Sequence, residues 1–214
     1  MFSHYHKIYA PFDRDTARDR YVNEEKWMSP EIEMLKDLEW EWTEKVDGTN
    51  VAIYWDGHTV TYHGRSKITN MPPFLLMKLE EIFGTSEMES KLESMFGEKE
   101  AILYGEGYGN KIQGNGGKYI PDDVDFILFD VRVGGRYLGT DNVTDVAQKL
   151  GLKQTPLVAS CTIEEAVAFI RTRPQSFIGD LPMEGIVGRL PRTLYDNRGN
   201  RIITKVKWKD YMPK

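Results

Sequence analysis

Short stretches of alternating apolar and polar residues recur along the chain, and this alternation predicts β-strands. The earliest of these stretches lie at 39–46 and 50–55. Asp56-Gly57 follows them as a hairpin turn signal and leads into a third alternating stretch at 58–63. We therefore expect a compact antiparallel unit in this part of the chain.

A helical spacing of apolar residues replaces the alternation between Pro72 and Phe96. One face of this predicted helix carries Leu75, Leu76, Leu79, Ile82 and Phe83. Gly84 is the expected stop within the stretch, which should form a helical layer over the sheet. Further helices are predicted near 142–150 and 162–172.

Strand character returns at 100–106 and 125–133, which are separated by a glycine-rich loop, and a Gly134-Gly135 turn closes the second. The last predicted strands are 184–190 and 201–208. Strands and helices mix here without the regular β-α-β order of a parallel sheet. The predicted fold class is therefore α+β with antiparallel sheets.

Length and composition favour one globular domain over residues 1–214, because 40% of the residues are hydrophobic and 29% are charged. No apolar run approaches the roughly 20 residues that cross a bilayer, and the N-terminus lacks the features of a secretory signal. We therefore expect a cytoplasmic protein that does not contact membranes. The single cysteine, Cys161, excludes an internal disulfide and a multi-cysteine zinc site.

The net charge of −5 disfavours a general nucleic-acid coat, since unspecific binding to phosphates depends on clustered Lys and Arg. One segment, 184–214, is basic and contains only three acidic residues. Its cations are Arg189, Arg192, Arg198, Arg201, Lys205, Lys207, Lys209 and Lys214. If the protein binds a polyanion, we expect a local binding site, and segment 184–214 is the candidate for it.

Lys45 is a candidate nucleophile, because it ends a predicted strand directly before the tight Asp47-Gly48 turn. A lysine used in this way needs a lowered pKa, which nearby cations or desolvation supply. Lys205 and Lys207 alternate in the final strand, so both ammonium groups should lie on one face and suit a phosphate. A surface lysine and a solvated charged face explain the same two segments without chemistry.

Two glutamates are further candidates. Glu106 lies between Gly105 and Gly107, which would let a ligand approach the backbone while the carboxylate accepts hydrogen bonds from a ribose; a turn-capping glutamate is the alternative. Glu184 begins a very apolar strand, where a metal ion on triphosphate oxygens would satisfy it. A salt bridge to a neighbouring lysine would satisfy Glu184 equally.

Aromatic rings and an arginine complete the candidates. The strand that contains Phe126 and Phe129 offers rings to both faces, and we expect one ring in the core and the other facing a ligand such as a purine. Arg65 ends the strand after the first hairpin and is either a bidentate phosphate clamp or a surface arginine.

Six segments in order resemble the motifs of the covalent nucleotidyltransferases, which include DNA ligases, RNA ligases and messenger-RNA capping enzymes. They are Lys45-Val46-Asp47-Gly48-Thr49-Asn50, Gly64-Arg65, Tyr104-Gly105-Glu106-Gly107, Phe126-Ile127-Leu128-Phe129-Asp130, Glu184-Gly185-Ile186-Val187 and Lys205-Val206-Lys207. The resemblance spans about residues 41 to 208. Within the superfamily the chain is most similar to phage-type ATP-dependent RNA ligases, because Asn50 stands where DNA ligases usually have Arg and because the glycine-rich stretch 105–113 is similar to theirs.

The resemblance implies a nucleotidyltransferase (adenylation) fold of antiparallel sheets with flanking helices. It also implies that Lys45 attacks the α-phosphate of ATP, with Mg²⁺ or Mn²⁺ as the metal, and holds AMP covalently. AMP would then pass to a 5′-phosphate, and a 3′-hydroxyl would displace it to seal the RNA. This is phosphoryl-transfer chemistry, in which position and charge do most of the work.

Residue roles follow from the same resemblance. Lys205 and Lys207 would neutralise the α-phosphate and help to lower the pKa of Lys45, and Glu184 would bind the metal. The nucleotide-binding residues it implies are Glu44, Asn50, Arg65, Glu106, Phe129, Glu184, Lys205 and Lys207, with Phe126 as the alternative ring on adenine. Arg189 falls where the family often has another basic residue.

The chain ends at Lys214, whereas DNA ligases and capping enzymes continue into an oligonucleotide-binding-fold domain and well-studied RNA ligases into a helical one. We therefore expect no such second domain here. The expected partners are RNA 5′-phosphate and 3′-hydroxyl ends, with nicked duplex RNA left open and a partner protein as one source of substrate grip. The alternatives are a noncatalytic nucleotide- or RNA-binding module of the same fold, and a nick-sealing DNA ligase, which Asn50 disfavours.

Overall fold

The computed structural model describes residues 2–14, 21–64 and 71–211. Its strands are β1 (Phe12–Arg14), β2 (Val22–Trp27), β3 (Trp40–Lys45), β4 (Thr49–Trp55), β5 (Val60–Gly64), β6 (Ala101–Gly109), β7 (Val124–Val133), β8 (Arg136–Tyr137), β9 (Lys153–Gln154), β10 (Leu157–Cys161), β11 (Gly185–Arg189) and β12 (Ile203–Lys207). Its helices are α1 (Pro30–Met34), α2 (Pro73–Phe83), α3 (Ser86–Phe96), α4 (Gly116–Tyr119), α5 (Thr140–Leu150) and α6 (Ile163–Arg171), and a 3₁₀ turn follows at Trp208–Asp210.

The chain divides into two compact units. Unit 1 comprises Met1–His6 and Asp47–Thr155, and unit 2 comprises Lys7–Val46 and Pro156–Lys214. Unit 2 is thus assembled from segments on both sides of residues 47–155, which form most of unit 1. The expectation of a single domain over 1–214 stays a prediction.

Unit 1 is built on a six-stranded sheet in the order β5-β4-β6-β7-β8, with β9 pairing parallel to β7 and the remaining neighbours antiparallel. One face of the sheet is apolar, with Val51, Ile53 and Leu103 fully buried. Leu75 and Leu79 of α2 pack in the same core, so alternation in the strands and helical spacing in α2 supply its two sides.

Unit 2 contains a four-stranded antiparallel sheet in the order β10-β3-β11-β12. Trp40, Trp42 and Val206 fill its core together with Ile163 and Ile170 of α6. The first turn of α6 is fixed by a capping box between Thr162 and Glu165. This packing leaves the odd-numbered residues of β12 on the opposite face of the sheet.

The predicted α+β class with antiparallel sheets is confirmed. The helical stretch 72–96 is interrupted where predicted, since Gly84 ends α2 and Thr85 caps α3. The sequence pattern did not predict the short elements β1, β2, α1, α4, β8, β9 and β10. The segment that forms β2 has four exposed residues in a row, so it shows no alternation. In the described part of the chain, none of the helices has the length and apolarity that crossing a membrane requires.

Candidate functional site

A carboxylate bridges two lysines at one end of the sheet of unit 2. Lys45, Gly185 and Lys207 form one row across β3, β11 and β12, and Glu184 directly precedes this row. Lys45 Nζ lies 2.6 Å from Glu184 Oε2, and Lys207 Nζ lies 3.1 Å from Glu184 Oε1. In this structure Glu184 therefore forms salt bridges with two lysines, which is the alternative to metal binding that the sequence left open.

The charges of this cluster shift its titration. Burial acts to raise the pKa of Glu184, but the ammonium groups of Lys45 and Lys207 outweigh burial and hold the pKa below its ordinary value. The Glu184 side chain keeps 19% of its exposure, so a small ligand can still reach the carboxylate.

Lys205 and Lys207 lie on the same face of β12, as predicted, while Val206 between them is fully buried on the other. Desolvation, followed by the charges of Lys207 and Lys45, lowers the pKa of Lys205 to about 8. Desolvation also lowers the pKa of Lys207, although Glu184 opposes the shift. Three cations and one carboxylate thus form a face with excess positive charge in a partly dehydrated setting.

Glu44 points away from this cluster, since neighbours on a strand face opposite sides of the sheet. Its buried carboxylate accepts hydrogen bonds from Ser176 Oγ and from the backbone N–H of Phe177, the latter at 2.9 Å. Desolvation raises the pKa of Glu44. These contacts favour a structural role for Glu44, and its assignment to nucleotide binding stays a prediction.

Arg189 is buried within unit 2, where its guanidinium donates to Thr43 Oγ1 at 3.5 Å. It shares the sheet face of Lys205, because Arg189 is opposite Ile203 in the β11–β12 register. Arg189 therefore lies on the same face of the sheet as Lys205 and Lys207, but it is largely covered.

Unit 1 brings two of the predicted residues together. Asn50 on β4 is directly opposite Glu106 on β6, and Glu106 is in turn opposite Ile127 on β7. Cross-strand partners point to the same face. An amide and a carboxylate thus stand side by side, a pairing that suits the hydroxyl groups of a ribose.

The glycines beside Glu106 have a different purpose from the predicted one. A Cβ at Gly105 would lie 2.3 Å from the Phe126 ring, and a Cβ at Gly107 would lie 2.6 Å from Leu75. The expectation that they open the backbone to a ligand is wrong, because core side chains fill the space beside them. Glycine is required here by packing against the interior.

Phe129 and Phe126 occupy different environments. Phe126 is 1% exposed and packs edge-on against Phe83 in the core, which removes it as a ligand-facing ring. Phe129 has no register partner on β6, because the pairing shifts between Asp130 and Leu128. Its half-buried ring meets the edge of Tyr5 at 5.0 Å between centroids. Phe129 therefore remains the candidate ring.

The turn that follows Lys45 is held by residues that sequence reasoning gave no role. Gln113 Nε2 donates to the Gly48 carbonyl at 3.1 Å, and the Asp47 N–H donates to Tyr119 Oη at 3.2 Å. Gln113 and Lys111 have positive φ values of 56° and 63°, uncommon for residues with side chains. The glycine-rich sequence was the only available signal of this loop.

Residues 38–207 match the family model for RNA ligase. The chain belongs to the RNA ligase family. The match extends over nearly the same segment as the ordered motifs and confirms the family that they indicated. Comparison with curated proteins of described function gives no match.

Solved structures with the RNA ligase fold resemble the chain. A mutant of Naegleria gruberi RNA ligase with AMP and Mn aligns with a TM-score of 0.64 at 20% identity, over 83% of this chain and 52% of that one. A second mutant with AMP and Mn aligns with a TM-score of 0.64 at 19% identity, over 95% and 57%. A mutant with ATP and Mn gives 0.64 at 20% identity, over 85% and 54%. The chain thus spans a little over half the length of these ligases, and the likeness shows the shared fold.

The predicted RNA ligase residues fall into separate groups. Lys45, Glu184, Lys205 and Lys207 cluster in unit 2, whereas Asn50 and Glu106 are neighbours in unit 1. Arg65 lies outside the described residues.

Proposed function

We propose that this RNA ligase family member is an ATP-dependent RNA ligase that forms a covalent lysyl-AMP on Lys45, transfers AMP to a 5′-phosphate and seals that end to a 3′-hydroxyl. The observation that carries the proposal is the cluster in which Lys45 and Lys207 share Glu184, with Lys205 beside them. Lys45 is the last residue of strand β3 and has the cations Lys205 and Lys207 nearby, so it is suited to attack a phosphate.

The first step asks for a neutral Lys45 amine, so its ion pair with Glu184 must open before attack. The nitrogen then forms a bond to the α-phosphorus, the bond to the bridging oxygen of pyrophosphate breaks, and the lysine proton goes to solvent. Lys205 and Lys207 hold the negative charge that develops on the phosphoryl oxygens. Their partial dehydration strengthens this contact, since a phosphate replaces the missing hydration.

Glu184 is the residue that would hold a divalent cation. No group of three or more His, Cys, Asp or Glu is placed to bind a metal among residues 2–14, 21–64 and 71–211. One reachable carboxylate nevertheless fits Mg²⁺ or Mn²⁺, because magnesium in such enzymes is held by one or two carboxylates with phosphates and water. When bound, the cation would neutralise phosphate charge.

Unit 1 would supply the nucleotide contacts. Glu106 and Asn50 would bind the ribose and an adjoining phosphate, and Phe129 would stack on adenine. A solved structure of a Naegleria gruberi RNA ligase mutant likewise contains ATP and Mn. RNA ends, including those of a nicked duplex, would be the substrates in the cytoplasm, and a partner protein would add to the grip on RNA.

The test is incubation with ATP labelled at the α-phosphate and a divalent metal, followed by denaturing electrophoresis. We expect label on the wild-type chain, no label on Lys45→Ala, and full label on Lys99→Ala, an exposed lysine of unit 1. Release of the label as AMP by acid but not by alkali would identify the phosphoramidate. An unlabelled wild-type chain that still binds ATP would overturn the proposal in favour of a noncatalytic binding module.

A further inference from the structure

The connection between β11 and β12 is an ordered hairpin tip. Tyr195 and Arg201 form an antiparallel bridge. Between them, the Asp196 carboxylate accepts hydrogen bonds from the N–H groups of Arg198 at 2.8 Å and Asn200 at 2.7 Å. Gly199, at φ 78°, allows the chain to reverse. The tip is therefore a preorganised surface.

Strand β12 connects this tip to the lysine cluster, and the two share one side of the strand, with Ile203 buried between them. Ile202 and Val206 pack against the core of unit 2, so alternation turns Arg201, Lys205 and Lys207 to the opposite face. Tyr195 shares that face, because it is bridged to Arg201. Arg201 lies six positions before Lys207, a distance of about 20 Å at the usual rise of a strand.

The exposed groups of the tip have the chemistry of a nucleic-acid contact. Tyr195 is 48% exposed, and Arg192 and Arg198 are exposed as well. Neither of these two arginines is in an ion pair within the described residues. Arg198 is close enough to Asp196 to help lower the pKa of that carboxylate, but its exposed guanidinium remains accessible to solvent. Cations bind phosphates, and aromatic rings stack with bases.

We propose that the hairpin tip, together with Lys205 and Lys207 of β12, binds the RNA strand on one side of the join, with Tyr195 stacked on a base and Arg198 on the backbone. The inference rests on the proposed function and extends it to the RNA substrate. In the proposed function the α-phosphate of ATP would lie close to Lys205 and Lys207, whereas a nucleic-acid strand carries one phosphate per about 3.4 Å of duplex. A strand of roughly six nucleotides therefore covers the distance to the tip.

The test separates the steps of ligation. Tyr195→Ala combined with Arg198→Ala should leave lysyl-AMP formation from ATP unchanged, because that step uses no RNA. With a nicked RNA that already carries 5′-AMP, KM should be at least about five- to hundredfold higher for the double variant, because loss of the stacking contact alone has that effect and the Arg198 contact is lost as well, with kcat preserved. Tyr195→Phe alone should keep most of the affinity, since it retains both the stacking ring and Arg198.

The matched control is Arg136→Ala, which removes an exposed arginine from the β7–β8 hairpin of unit 1. We expect it to leave KM for RNA unchanged. Shortening the RNA to three nucleotides on the bound side should raise the wild-type KM to that of the double variant. The proposal is overturned if the double variant keeps the wild-type KM, if Arg136→Ala has the same effect, or if lysyl-AMP formation falls equally.

Direct binding keeps this inference separate from the proposed ligase activity. Fluorescence anisotropy of a labelled nicked RNA needs no turnover. A wild-type chain that forms no lysyl-AMP but binds RNA, with binding lost in the double variant, would refute ligation and support the surface. If the wild-type chain seals RNA and the double variant binds RNA with unchanged affinity, ligation is supported and the proposed RNA-binding surface is refuted.

Discussion

Lys205 is a residue whose charge opposes folding. Its pKa of about 8 lies below the ordinary 10.5, so the unfolded chain binds its proton more tightly. The resulting penalty is fully present below about pH 8, shrinks as the pH rises, and is gone above about pH 10.5. Such a charge is retained at a cost in stability, which is expected where a phosphate is to be bound.

Replacing Lys205 with Met should therefore stabilise the protein. We expect the free energy of unfolding at pH 7 to rise by roughly 1 to 3 kcal/mol, and the difference from wild type to vanish near pH 10.5. Urea unfolding at both pH values measures this. Lys99→Met, at an exposed position, is the control that should show no such trend. A Lys205→Met protein less stable than wild type at pH 7 would contradict the reasoning.

We expect Glu184 to pair with Lys45 and Lys207 and also to bind the metal. Glu184→Gln removes the carboxylate that contacts Lys45 and Lys207, so lysyl-AMP formation should fall by about 100-fold or more. Chelation of the metal in the wild type should abolish labelling. Glu87→Gln, which breaks the surface pair with Lys91, should leave the rate unchanged. A Glu184→Gln protein that labels at the wild-type rate would remove Glu184 from the site.

At the scale of elements, the turn between β3 and β4 is confined by its surroundings. A Cβ at Gly48 would lie 2.5 Å from the Gly107 carbonyl oxygen and 3.2 Å from Glu106 Cβ. A side chain at position 48 would thus push the turn away from β6. Since Lys45 lies only three positions before Gly48 along the chain, the displacement should reach the nucleophile.

Gly48→Ala should therefore destabilise the protein by about 1 to 3 kcal/mol and slow lysyl-AMP formation by on the order of 100-fold. Gly114→Ala is the matched control, because a Cβ at Gly114 meets no atom within 4 Å. Thermal unfolding and the labelling rate should be measured on both variants. Equal behaviour of the two variants would show that the turn is not confined in this way.

The elements that could be predicted are those whose structure follows from a local pattern in their own sequence. Alternation placed Lys205 and Lys207 on one face, and helical spacing with Gly84 defined α2 and α3. The contacts of Gly105 with Phe126, and of Gln113 with Gly48, join residues distant in sequence, so no local pattern contains them. The hydrogen bonds that Glu44 accepts from Ser176 and Phe177 were likewise not predictable from the sequence, because these partners lie far along the chain.

At the scale of the whole molecule, charge is unevenly distributed. The chain carries −5 overall, yet the basic segment 184–214 supplies both the lysines of the site and the hairpin tip. A polyanion is therefore repelled by most of the surface and attracted by this part. RNA binding should depend on a few local contacts.

This distribution predicts a shallow salt dependence of RNA affinity. If Arg198, Arg201, Lys205 and Lys207 each contact a phosphate, the logarithm of the affinity should fall with a slope of about −3 against the logarithm of salt concentration, or about 60-fold between 50 and 200 mM. Arg198→Ala should reduce the slope by about one, whereas Arg136→Ala should not change it. Anisotropy titrations in KCl measure both. A slope near −10 would point to a broad cationic surface, which the net charge makes difficult to assemble, and a slope near zero would mean that these cations do not contact the RNA backbone.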